Sequence, residues 1–190
     1  MNVAEQLVAQ LIDAGVHRVY GIVGDSLNPV VDAIRKSGGS KKGGIDWVHV
    51  RHEEAAAFAA AAEAQLTGKL AVCAGSCGPG NIHLINGLYD AQRSGAPVLA
   101  IASHIPSVQI GQMYFQETHP DRLFNECSVY NELISSAEQA PRVVNAAIRH
   151  AVELSGVSVI SLPGDVSDLK ASSPSPKYVP SRRPVLTPNE

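Results

Sequence analysis

The sequence predicts an α/β fold, a doubly wound parallel sheet flanked by helices on both faces. Three observations carry that expectation. Strand-like and helix-like segments alternate for most of the chain's length. The strand-like runs at 18–23 and 70–74 end in clusters of glycine and small polar residues. Hydrophobic residues make up 45% of the chain and charged ones 17%, the balance of a well-packed globule rather than a disordered chain.

Each element has a local reason. Over residues 3–14, Val3, Leu7, Val8, Leu11 and Ile12 share one helical face, and Gly15 can cap its end. Arg18 to Val23 is a short β-branched run. It stops at Gly24-Asp25-Ser26, where either polar residue can N-cap a helix reaching about Lys36. Turn formers and lysines fill 37–44 and predict a flexible surface loop. A strand follows at 46–50, then an alanine-rich helix from Glu53 to Leu66. The strand 70–74 runs into Gly75-Ser76-Cys77-Gly78-Pro79-Gly80, and a helix carries Ile82 to Arg93. The strand 98–102 opens onto a long loop, 103–118. A helix near 121–127, a strand near 131–134, a helix over 141–154 and a strand over 157–162 complete the pattern. Alternation of this kind means βαβ units with right-handed crossovers, hence a flavodoxin-like parallel sheet. After Asp168 the chain is rich in Ser and Pro, so residues 1–168 read as one domain and 169–190 as a linker toward further domains.

Several function classes lose their support here. The net charge is −3 with no Lys/Arg stripe, so a nucleic-acid footprint is absent. No apolar run approaches the roughly 20 residues that span a bilayer, and residues 1–13 do not read as a secretory signal. Cys73, Cys77 and Cys127 form no Cys-x-x-Cys pair, which fits a reducing cytoplasm. The seven histidines lack metal-binding spacing, so no metal site is expected.

A doubly wound sheet places its ligands outside the carboxyl ends of its strands. Glu53 and Glu54 sit at one such end. Acidic residues in a first helical turn are favoured by the helix dipole and need no function. Alternatively, one carboxyl points into an apolar cleft whose low dielectric raises its pKa, suiting it to share a proton with a ligand nitrogen. The Gly75–Gly80 turn allows close backbone approach, but its glycine order is neither the dinucleotide fingerprint nor a nucleophile elbow. Cys77 reads as a buried structural residue or as a thiolate near a helix N-terminus. In the long loop, Tyr114, Phe115 and Gln116 place two aromatics and an amide at the ligand edge, as anchor or as contact.

Together these pieces resemble one family. Arg51-His52-Glu53-Glu54 with the alanines behind it, Ala74 to Asn81, Phe115-Gln116-Glu117-Thr118, His104-Ile105-Pro106 and Leu162 to Val166 are similar to the pyrimidine-binding domain of thiamine-diphosphate enzymes of the pyruvate oxidase type. The resemblance covers residues 2 to about 168. It implies that Glu53 hydrogen-bonds the cofactor's aminopyrimidine ring and helps it shed its reactive proton. It implies that Gly78, Pro79 and Asn81 pack near that ring. Phe115 would stand between the reacting carbon and a flavin, with Gln116 beside that carbon. Pyruvate would be decarboxylated and oxidised to acetate and carbon dioxide, with FAD and then a quinone as acceptors.

Acetolactate synthase is the nearest relative with a different product, and a non-enzymatic flavodoxin-type binding module is the other class left open. The family's diphosphate and magnesium site carries Gly-Asp-Gly, whereas Gly-Asp here occurs only as Gly24-Asp25-Ser26 and Gly164-Asp165-Val166. Mg2+ and FAD are therefore expected mainly outside this chain, which is expected to be inactive alone. The complete enzyme is expected in the cytoplasm, with peripheral membrane association as the variant left open. The alanine faces of the 53–66 helix (Ala55, Ala59, Ala62 and Ala56, Ala60, Ala64) predict self-association as a homodimer or homotetramer.

Overall fold

The computed structural model of the chain describes residues 1–172 and 174–180. The first helix, α1 (Val3–Asp13), begins in a capping box. Asn2 Oδ1 accepts the Glu5 N–H at 2.8 Å, and Glu5 Oε2 accepts the Asn2 N–H at 3.1 Å. It ends at Gly15, whose φ of +83° turns the chain back into β1 (Arg18–Gly21). The order continues α2 (Asn28–Lys36), β2 (Asp46–His49), α3 (Glu53–Thr67), β3 (Ala71–Gly75), α4 (Pro79–Arg93) and β4 (Val98–His104). Then come α5 (Pro120–Leu123), β5 (Tyr130–Leu133), α6 (Ala140–Leu154), β6 (Val157–Pro163) and α7 (Gly164–Asp168).

The six strands form one sheet in the order β2-β1-β3-β4-β6-β5, and every pairing is parallel. Alternate side chains of the central strands feed two separate cores. Val72, Leu99, Ile101 and Ile160 point toward α1, α2 and α6. Cys73, Ala100, Val157 and Val159 point toward α3, α4 and Phe124. The sheet is thus covered on both faces, as all-parallel sheets require. The second core is made largely of alanine, so α3 and α4 sit close to the strands and to each other.

Three local expectations need correction. Asp25 and Ser26 do not N-cap α2; they belong to a 3-10 turn, and no side chain caps that helix. Ser26 is instead engaged across the sheet by the 75–80 turn. Residues 37–44 are not a loose loop, because Asp46 accepts both the backbone N–H and the hydroxyl of Ser40 and pins a turn at Ser40–Lys42. The helix expected over 121–127 is a single turn, while Gly164–Asp168 adds a turn that periodicity could not show. Of the Ser/Pro-rich segment, Lys170 bridges to Asn2 and the Tyr178 N–H donates to Asp13 at 2.7 Å, so this part lies against α1. Residues 173 and 181–190 of the expected linker lie outside the described residues.

Candidate functional site

The strand order fixes where a ligand can enter. From β1 the chain passes to β2 on one side and then to β3 on the other, so the connections leaving β1 and β3 diverge and leave a crevice at their carboxyl ends. The 22–26 and 75–80 segments, the start of α3 and the loop after β4 surround it.

Glu53 reaches the crevice through the first turn of α3. His52 has extended backbone angles and caps the helix, its Nδ1 accepting the Glu54 N–H at 3.3 Å. The two acids then part. Glu53 is 8% exposed, and its Oε2 lies 3.1 Å from His83 Nδ1. Glu54 is half-buried and accepts from the Asn86 amide on the outer side. Contact between α3 and α4 explains both pairings. A Cβ at Gly87 would lie 2.6 Å from Ala57 Cβ and 2.7 Å from the Phe58 nitrogen, so only glycine permits that approach. One turn earlier on each helix, the same offset brings His83 to Glu53. The imidazoles of His52 and His83 stack on each other, their centroids 4.3 Å apart.

The 75–80 turn forms the wall between two halves of the site. On one side, a Cβ at Gly80 would stand 3.1 Å from Glu53 Oε1, so glycine keeps the space before the carboxylate open. On the other, Gly78 has φ +69°, and a Cβ there would meet Gln116 Cβ at 2.8 Å. Pro79 is exposed at the first position of α4. Asn81 is fully buried and donates to the Ser103 carbonyl at 2.8 Å. Its amide nitrogen ties α4 to the end of β4, while its amide oxygen has no hydrogen-bond partner among the described residues.

Beyond the turn lies a cleft of about 380 Å3 lined by Ser26, Cys77, His104, Phe115 and Gln116 among others. Ser26 Oγ accepts the Cys77 N–H at 3.0 Å and shares a 2.9 Å hydrogen bond with Ser76 Oγ, closing the floor between β1 and β3. Cys77 Sγ donates to Gln116 Oε1 at 3.6 Å. Gln116 has φ +65°, an uncommon conformation for a side-chain-bearing residue, and Met113 has φ +55°. Glu117 holds that backbone in place by accepting from the N–H groups of Gly111 (2.6 Å) and Tyr114 (3.0 Å). The Gly111 hydrogen bond, helped by the one from Tyr114, keeps the Glu117 carboxyl below its ordinary pKa against the opposing effect of burial. Phe115 is 78% exposed at the loop's tip, so it is no anchor to the core. Burial pushes the His104 imidazole below its usual pKa, and its Nδ1 accepts the Ile105 N–H at 2.9 Å. His104 is therefore a neutral wall of the cleft at pH 7.

Sequence reasoning missed His83, the Ser26–Ser76 pair and the bracing role of Glu117. None has a spacing signal, because each acts on a residue from a different element or a distant part of its loop. The same is true of a group of potential metal donors, His52, Glu53 and His83, whose ligand atoms all lie within 4.8 Å of one another.

The family profile described as thiamine pyrophosphate enzyme, N-terminal TPP binding domain, matches residues 1–123. The chain belongs to this family. A Pseudomonas amyloderamosa protein, named as an uncharacterized 42.6 kDa protein in the isoamylase 3′ region, is 60% identical over 190 residues, covering 98% of this chain and 46% of that one. Pyruvate oxidase of Lactiplantibacillus plantarum is 40% identical over 160 residues, or 84% of this chain and 26% of the relative. The acetolactate synthase isozyme 2 large subunit of Escherichia coli is 35% identical over 167 residues, or 87% and 29%. The TPP binding domain described here thus spans about a quarter to just under half of these relatives. Among its described residues, no helix is long and apolar enough to cross a membrane.

Proposed function

We propose that this chain receives the aminopyrimidine ring of thiamine diphosphate in an enzyme that oxidatively decarboxylates pyruvate to acetate and carbon dioxide, with FAD and a quinone as acceptors. The observation that carries the reading is the Glu53 carboxylate. It is largely buried, stands at the topological crevice, and faces space that Gly80 leaves empty. A carboxylate so placed can exchange a proton with a ring nitrogen that only backbone-level clearance would admit. The residues fit the group: Glu53 would hold the ring's polar edge, and Gly78, Pro79 and Gly80 would line its face. Asn81 would pack near the ring from the first turn of α4 and helps to fix that helix through the Ser103 carbonyl. When bound, thiamine diphosphate supplies a carbon nucleophile for a ketone carbonyl.

Across the turn, Gln116 and the exposed Phe115 would meet the substrate and a flavin. The strained loop that presents them is braced by Glu117, consistent with strain being held at a working site. Acetolactate synthesis is the second reading, supported by the Escherichia coli relative, and pyruvate oxidation is preferred on the 40% against 35% identity. Magnesium and FAD would be held mainly by parts of the enzyme outside this chain.

The assay is made on the assembled enzyme with pyruvate and a soluble quinone. Acetate and one reduced quinone per carbon dioxide are expected. Acetolactate as the main product, with no quinone reduced, would overturn the oxidase reading and leave the pyrimidine site standing.

A further inference from the structure

We infer that Glu53, His83 and His52 form a binding site for a divalent transition metal of the zinc class, and that occupying it blocks the cofactor's place at Glu53. Two imidazoles and one carboxylate make a donor set that binds Zn2+ with a fourth position left to solvent. The donors come from two helices, so no sequence spacing announces them. Their ligand atoms already lie within 4.8 Å of one another, and the closest measured pair, His83 Nδ1 and Glu53 Oε2, is 3.1 Å apart. Tetrahedral ligands at bond lengths of about 2.0–2.2 Å stand roughly 3.4 Å apart. The near pair must therefore open by a few tenths of an ångström, and the farther donor must close by about 1.4 Å at most. Rotation of two exposed imidazole rings supplies such shifts without moving either helix.

The site is also partly preorganised. His52 Nδ1 accepts the Glu54 N–H at 3.3 Å, which puts the ring proton on Nε2, so His52 ligates a metal through either nitrogen only after giving up that long capping bond. The two rings are held face to face at 4.3 Å by the stack. Glu53 is fixed in a buried first turn, while both histidines are open to water, so a metal can enter and keep a labile fourth ligand. Nitrogen donors select against Mg2+, which prefers an all-oxygen octahedron. Binding would be an inhibitory control, because the carboxylate that serves the ring would then be spent on the ion. Only this exclusion rests on the functional reading above; the metal site itself does not.

The 190-residue chain is titrated with Co2+, followed by visible absorption, and Zn2+ is then added as competitor. One equivalent of Co2+ with tetrahedral-type bands, displaced by Zn2+ and unaffected by millimolar Mg2+, is the expected result. His83→Ala and Glu53→Gln should each weaken binding by ~100-fold or more, since even supporting residues of metal sites are worth 10- to 100-fold. His150→Ala, on α6, should change nothing. Thermal unfolding guards against misfolding: Zn2+ should raise the Tm of the parent chain and not that of His83→Ala, with equal Tm values before metal is added. Absence of stoichiometric binding, or binding that survives loss of both His83 and Glu53, would overturn the site and leave the cofactor reading untouched. Metal that binds but is not displaced by thiamine shown to occupy the chain would instead overturn the exclusion, and with it the ring's placement at Glu53.

Discussion

Glu53 and Glu54 are neighbours in sequence and chemically alike, yet the helix turns them about 100° apart and gives them different surroundings. Glu53 is buried against Gly80 and His83, whereas Glu54 engages Asn86 on the outside. In the assembled enzyme, Glu53→Gln keeps the shape and removes the exchangeable proton, so turnover should fall by about 10²–10⁴, the usual reach of general acid–base catalysis. Glu54→Gln keeps an acceptor for Asn86 and should cost less than about tenfold, well short of that reach. Steady-state kinetics on both variants decide the matter. Equal losses would mean that both carboxyls act only through α3. The sequence shows both acids but not which one faces inward, because that depends on where α4 lies. Asn81 makes the same point, because its hydrogen bond to the Ser103 carbonyl depends on where β4 lies.

At the scale of elements, the alternation of strands and helices was legible because a parallel sheet imposes it on local composition. Boundaries shifted where local signals competed: Pro79 starts α4 three residues before its first apolar residue, and Ser26 trades helix capping for the Cys77 N–H. What no local pattern reveals is the approach of α3 to α4 at Gly87. Gly87→Ala offers a direct measure of it. Alanine gains about 1 kcal/mol of helix propensity over glycine. Its methyl, however, would stand 2.6 Å from Ala57 Cβ and 2.7 Å from the Phe58 nitrogen, and backbone cannot move aside cheaply. Overpacking of this kind costs about 1–3 kcal/mol. The clash should win, leaving the variant up to about 2 kcal/mol less stable by urea denaturation. Ala57→Gly should cost less in the Gly87→Ala background than in the parent chain, since there it also removes the closest of the contacts. A Gly87→Ala chain more stable than the parent would show that the helices part freely and that Glu53 and His83 are not held together by this contact.

For the whole molecule, the question is what covers the outer face of α3 and α4. Ala56, Ala57, Ala60, Ala61 and Ala64 are buried in the second core, so the small residues on that side serve internal packing. The opposite stripe keeps Ala55, Phe58, Ala62 and Leu66 in solvent, with Phe58 40% and Leu66 87% exposed. On α4, Ile82 is 48% exposed beside His83. The loop after β4 does not lie over this stripe. Asp165 holds it through the Ser107 N–H and hydroxyl, and Gly78 abuts Gln116, both on the cleft side. We propose that a second copy of the chain covers the face in a two-fold dimer, the commonest arrangement for soluble chains. A stable pair buries about 1,200–2,000 Å2 in total, so the interface would extend over both helices. Light scattering coupled to size exclusion at micromolar concentration should give twice the 20.0 kDa chain mass. Phe58→Glu places a charge in the middle of the stripe without touching the buried alanines, so it should return the chain to a folded monomer. A 20.0 kDa species that persists across a tenfold dilution series of the parent chain would refute the dimer, and another domain of the assembled enzyme would then have to cover the stripe.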